Sequence, residues 1–245
     1  MSRKWLILGV LVGLVAVGDQ ATKYLAVSRL TTTFDRPEPS SFAERVAAFY
    51  SVRNLDEPPA PGRADVRKPP LTVIPGFWSL KYVENPGAAW GLLSGIEDRF
   101  RLPFFHLVSA VAILFITLFY RRLQADQALL AVALSLVLGG AVGNYIDRLA
   151  RNYVIDFVDW HWKNQPGWHW PTFNLADSAI CVGVSLMVFE SVFWRRPLPL
   201  AIAETVPAGP PAALAPAPNP DTLQSPPEPP QGRPGEPPPG DSARG

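Results

Sequence analysis

Acidic side chains recur in this sequence beside lysine, arginine or asparagine at helical spacing. Asp19 and Lys23 stand four apart, Asn144, Asp147 and Arg148 stand at i, i+3 and i+4, Asn174 and Asp177 stand three apart, and Asp156 falls between the last two groups. Spacings of three and four put side chains on one helix face. Most of these residues lie in or at the end of apolar runs, where an ionisable side chain costs several kcal/mol unless it is paired or faces water. Carboxylates gathered in this way can move protons, either as a relay across a membrane or as a pair acting on one water.

Each residue also has a structural reading. Asp19 with Lys23 is an intrahelical ion pair that can simply fasten helices together. Asp147 beside Arg148 reads as a salt-bridge scaffold, Asp159 as a solvated loop carboxylate, and Asn174 as the N-cap of a helix. Asp177 resists such a reading, because no basic residue lies between Trp170 and Trp194. Its partner must come from another segment, either Asp156 through a shared proton or a cation such as Arg148.

The elements that position these groups are apolar helices. Of the 245 residues, those from Pro197 to Gly245 hold 16 of the 28 prolines and few large apolar side chains, a composition expected to stay disordered. The remainder, residues 1–196, carries four runs long enough to cross about 30 Å of hydrocarbon: Trp5 to Ala26, Leu102 to Tyr120, Leu129 to Ile146 and Phe173 to Trp194. A soluble enzyme has no use for such runs. Read as a cleaved signal peptide, the first run lacks a small-x-small cleavage site and strands the other three. A single cysteine, Cys181, excludes a disulfide framework, and the three histidines show no metal-ligand spacing. A net charge of +1 leaves no footprint for nucleic acid.

Arg3 and Lys4 precede the first run, Arg121 and Arg122 separate the second from the third, and Arg195 and Arg196 follow the fourth. This pattern predicts that both termini are cytoplasmic. The long insertion at residues 31–70 and the polar ends of the runs then face outward. Leu71–Val73, Phe77–Val83 and Ala89–Leu93 read as short strands punctuated by Pro75-Gly76 and Pro86-Gly87, a small extracytoplasmic β element. Trp160, Trp162, Trp168 and Trp170 in the second outer loop read as an interfacial aromatic belt. The fold class is thus an all-α membrane protein of four spans with a small β element.

Five blocks carry the polar residues: Asp19-Gln20-Ala21-Thr22-Lys23, Asn85-Pro86-Gly87-Ala88-Ala89-Trp90-Gly91, Gly139 through Arg148, Val154-Ile155-Asp156-Phe157, and Phe173-Asn174-Leu175-Ala176-Asp177-Ser178. In that order they resemble the blocks of the lipoprotein signal peptidases (signal peptidase II). The resemblance spans Trp5 to Leu30 and Val73 to Trp194, and omits the insertion and the Pro-rich tail. It implies a monomeric aspartyl endopeptidase of the inner membrane that removes the signal peptide of a bacterial prolipoprotein just before its lipid-modified cysteine. By the same resemblance Asp156 and Asp177 are the catalytic pair, with Asp147 competing for the first place. Asn85, Asn144, Arg148 and Asn174 line the substrate site, and Asp19, Lys23, Asp147 and Gly87 support it. No metal or cofactor is implied, and the partners are the prolipoprotein and membrane lipid. Two other classes remain: an ion or proton carrier using the intramembrane carboxylates, and an assembly factor working through the insertion and tail.

Overall fold

The computed structural model describes residues 3–35, 39–52, 55, 66–87, 97–124, 126–163, 165 and 167–193. The strand-like piece expected at Ala89–Leu93 and the Pro-rich tail lie outside them. Five helices and three strands follow in the order α1 (Arg3–Leu30), α2 (Phe42–Tyr50), β1 (Leu71–Ile74), β2 (Trp78–Asn85), α3 (Asp98–Arg121), α4 (Ala128–Arg151), β3 (Val154–Trp160) and α5 (Leu175–Phe193). Helices α1, α3, α4 and α5 are long and apolar enough to cross a bilayer.

Helix α4 is the centre of the bundle, packing against α1, α3 and α5. Its contact face is built from small residues, among them Ala131, Ala133, Ser135, Gly139 and Gly140, all buried. Such residues let membrane helices approach closely where no hydrophobic force drives them together. The other three helices turn large apolar side chains outward, such as Leu14 and Val17 on α1, Leu107 and Phe115 on α3, and Val188 and Phe193 on α5. A belt of this size on a chain with four membrane-crossing helices is a lipid-facing surface. At one end, Lys4 donates to the carbonyls of Arg121 and Leu123, at 3.1 and 2.7 Å, gathering the basic residues that flank α1 and the α3–α4 connection.

The sheet sits at the opposite end, with strands in the order β1-β2-β3, antiparallel throughout. The described sheet takes its third strand from further along the chain. It is Val154–Trp160, a stretch without a local strand pattern: its alternation is hidden because Val154, Ile155 and Asp156 are all buried. Asn152, in the left-handed region at φ 65°, ends α4 and reverses the chain so that β3 starts two residues later.

Within the insertion, Ser41 caps α2 by accepting from the Glu44 N–H at 3.2 Å, while the Glu44 carboxylate accepts from Ser40. The helix buries Phe49. Phe49 joins Ala26, Val27 and Leu30 of α1, Phe34, Val52, Tyr82, Tyr153 and Ile155 in an apolar core beneath the sheet. That core explains why α1 runs a full turn beyond Ala26: its last buried residues belong to this outer layer.

Candidate active site

The first turn of α5 organises the site. Asn174 is its N-cap: the side-chain oxygen accepts the Asp177 N–H at 2.9 Å, and Asp177 Oδ2 accepts the Asn174 N–H at 3.2 Å. This reciprocal pair satisfies two of the orphan donors at a helix start. The Asn174 amide is left to point away from the helix, and it donates to Asp156 Oδ1 at 2.7 Å and approaches Asn144 Oδ1 at 3.1 Å. Asn144 in turn donates to Asp177 Oδ1 at 2.8 Å. Two asparagines therefore hold the Asp156 and Asp177 carboxylates side by side, though the acids come from β3 and α5. Asp156 is almost wholly buried, whereas Asp177 is half-buried. Burial, and then the charge of Asp177, push the Asp156 carboxyl up to about 7.

The remaining oxygen of Asp156, Oδ2, accepts from the Asn85 amide at 3.0 Å. Asn85 faces Val154 across the β2–β3 ladder, which places its side chain diagonally beside Asp156 on the same face. Its own oxygen is fixed by the Gly87 N–H at 2.9 Å. Gly87 has φ +105°, and a Cβ there would run into the Phe105 ring. Only glycine fits this turn, and the turn aims Asn85.

Behind the pair lies a second cluster of different character. The Lys23 ammonium reaches Asp19 Oδ2 at 2.7 Å, Asp147 Oδ2 at 2.8 Å and Asn144 Oδ1 at 3.0 Å, which accounts for its three donors. Asp19 also accepts the Ala176 N–H of α5 at 3.0 Å, and Asp147 accepts the Ile155 N–H of β3 at 3.1 Å. Gln20 donates to both acids, at 3.2 and 3.1 Å. One buried ion network thus ties α1, α4, β3 and α5 together immediately beside the asparagines.

A family model described as signal peptidase (SPase) II matches residues 11–193. The chain belongs to the signal peptidase II family. A lipoprotein signal peptidase of Anaeromyxobacter sp. (strain Fw109-5) is 53% identical over 188 residues, covering 76% of this chain and 85% of that protein. One of Syntrophotalea carbinolica is 50% identical over 125 residues, covering 51% and 73%. A solved structure described as a bacterial membrane enzyme, obtained in meso at 1.9 Å resolution, superposes with a TM-score of 0.51 at 26% identity, over 76% of this chain and 92% of that one. Signal peptidase II membership makes the chain a membrane peptidase.

In this signal peptidase II chain all ten residues singled out from sequence fall in one continuous network except Arg148, which stands at its edge. The Asp147–Arg148 scaffold does not form. One residue's advance turns Arg148 aside, where it contacts the Asn144 carbonyl at 3.4 Å and lies 5.8 Å over the Phe105 ring, and Asp147 takes Lys23 and Arg151 as its cations instead. Asp159 is no solvated loop carboxylate either. It is buried in β3 and paired with Lys81 at 2.8 Å and His169 at 3.1 Å. The tryptophan loop closes as a hairpin, with Trp162 donating to the Trp168 carbonyl and Trp170 to that of Trp160, and its indoles remain exposed. Sequence reasoning gave no role to Gln20 or Arg151. Gln20 was signalled by its place between Asp19 and Lys23, and Arg151 by its i+4 spacing from Asp147.

Proposed function

We propose that this chain is an aspartic endopeptidase that removes signal peptides from lipid-modified prolipoproteins, with Asp156 and Asp177 as the catalytic pair. The observation that carries this reading is that both carboxylates are bound by Asn174 and take their hydrogen bonds from neutral amide donors, while Lys23 is bound by Asp19 and Asp147 and, among the described residues, Arg148 makes no ion pair with either acid. Two such acids cannot both ionise at close range and share a proton. The ionised member, half-exposed Asp177 in the first turn of α5 where the helix favours negative charge, deprotonates a water. Protonated Asp156 donates to the scissile carbonyl, and the roles exchange as the amine leaves.

Asp147 does not fit the first place in the pair, since Lys23, Gln20 and the Ile155 N–H already occupy its oxygens. Cleavage just before the lipidated cysteine fits a site at the end of the bundle, because a substrate helix can expose its backbone only where it leaves hydrocarbon. The gathering of Arg3, Lys4, Arg121 and Arg122 at the other end supports cytoplasmic termini and a site at the outer face of the inner membrane. Asn85, Asn144 and Asn174 orient the acids, and Arg148, unpaired with either, is the cation placed to meet substrate carbonyl or ester oxygens.

The test is turnover of a diacylglyceryl-modified prolipoprotein in detergent. Asp156→Asn and Asp177→Asn are each expected to lose at least about 10³-fold in kcat with the fold retained. Full activity in Asp156→Asn alongside none in Asp147→Asn reassigns the pair.

A further inference from the structure

Arg151 is buried to 1% side-chain exposure at the last residue of α4, and its guanidinium nitrogens make no hydrogen bond among the described residues. It stands 3.6 Å from Asp147 Oδ1, and its other face lies 4.5 Å from the Phe49 ring and 5.6 Å from Tyr50. Both rings belong to α2, in the insertion. A guanidinium desolvated between one carboxylate and two aromatic faces is held by charge–quadrupole attraction, a contact that strengthens as water is excluded. The ring of Phe49 is itself fixed by Tyr24 at 5.6 Å and by burial in the outer core.

We propose that the insertion is a positioning element for the peptidase site: α2 seats Phe49 on Arg151, which presses on Asp147 and so sets both catalytic carboxylates. The path is continuous. Asp147 receives the Ile155 N–H, one residue before Asp156, and through Lys23 it holds Asn144, the donor to Asp177. The insertion is also anchored by residues outside α2: the Leu55 N–H is bound by Glu84 of β2 at 2.9 Å, the Tyr153 hydroxyl, just before β3, donates to the Val52 carbonyl at 3.1 Å, and the Lys68 N–H reaches the Leu30 carbonyl at the end of α1 at 2.7 Å. Arg151 also balances charge, since Asp19 and Asp147 face Lys23 and Arg151. The other charged or titratable groups packed around it are Arg148 on α4, Glu84 and Tyr82 on β2, and Tyr153. Burial raises the last two above the ordinary tyrosine range, so they stay neutral.

This inference rests on the dyad reading, and full-length enzyme in lipid nanodiscs, with a quenched fluorescent diacylglyceryl prolipopeptide, tests the two separately. Phe49→Leu keeps apolar volume but removes the π face, and Phe49→Tyr keeps both. Phe49→Leu is expected to lower kcat roughly tenfold with KM within twofold, Phe49→Tyr to restore it, and Phe42→Ala, on the exposed face of α2, to leave it unchanged. Arg151→Met leaves a net negative cluster beside the pair, so the acidic limb of the kcat profile moves up by roughly half a pH unit. Phe49→Leu with wild-type kcat, equal losses in Leu and Tyr variants, or a change confined to KM each overturn the proposal. If Phe49→Leu does not accumulate, Arg151→Lys decides: kcat within twofold of wild type supports it, and a loss as large as that of Arg151→Met overturns it. An active Asp156→Asn in the same assay sinks the dyad reading instead, whatever the Phe49 variants do.

Discussion

Two acid pairs lie within a few residues of each other in this molecule, and they are treated in opposite ways. Asp19 and Asp147 are wholly buried, share Lys23, and have Arg151 close by, so their charges are matched. Asp156 and Asp177 receive amides from Asn85, Asn144 and Asn174, and no ion pair to either is formed among the described residues. A carboxylate facing a lysine is committed to one state; a carboxylate facing an amide can gain or lose a proton, because the amide donates to it without neutralising it. The first pair therefore holds helices together and the second performs the proposed chemistry. The difference lies in the partners each acid has been given, since all four residues are the same amino acid.

The contrast is most strongly tested by removing the cation. Lys23→Met leaves buried Asp19 with no cation and Asp147 with Arg151 alone, and is expected to cost about 3–5 kcal/mol of stability. Asp156→Asn, which removes no cation's partner, is expected to lower the thermal midpoint far less than Lys23→Met while abolishing turnover. Thermal unfolding of both variants in one detergent measures this. A Lys23→Met protein as stable as wild type erases the distinction between the two pairs.

A finer test separates the two duties of Asn174. Serine is as good an N-cap as asparagine, so Asn174→Ser is expected to keep the start of α5 within about 0.5 kcal/mol. Its hydroxyl is too short to serve the cap and Asp156 together, and kcat is expected to fall roughly 10²-fold. Asn174→Ala loses both, with about 1 kcal/mol of additional destabilisation. If the serine variant turns over like wild type, the amide bridge between the acids is dispensable.

These roles were unequally legible in the sequence. The four spans and the polar blocks could be read, because each is a local pattern of hydrophobicity broken by charge. The i, i+4 pair of Asp19 and Lys23 was legible for the same reason, and it forms. Arg148 misled because adjacency in sequence is not adjacency on a helix: residues one apart point about 100° apart, and Arg151, a full turn on, reaches Asp147 instead. Strand β3 was missed because its buried run has no alternation. Its pairing with β2, nearly 70 residues earlier in the chain, is a non-local fact that no local pattern reports. The double use of Asn174, cap and bridge, needs the neighbouring helix to be in place before the second role exists.

The last test is the pH dependence of stability, which reports on the proton held by Asp156. The Asp156 carboxyl is raised to about 7 by burial and by Asp177, against about 3.9 in an unfolded chain. Between these values the folded state binds more protons than the unfolded one, so stability falls as pH rises through that window. The contribution is complete below about pH 4 and gone above about pH 7. Asp156→Asn cannot titrate, and it also turns one of its amide contacts into a donor facing a donor, which lowers stability equally at every pH. The difference between variant and wild type therefore has a fixed part and a part that moves. The moving part is expected to favour the variant by about 2 kcal/mol more at pH 8 than at pH 5. Thermal midpoints of the two proteins across that range give the slope directly. A flat difference means that Asp156 is already ionised at pH 5 and belongs with the matched acids, and the proton the proposed mechanism assigns to it is then absent.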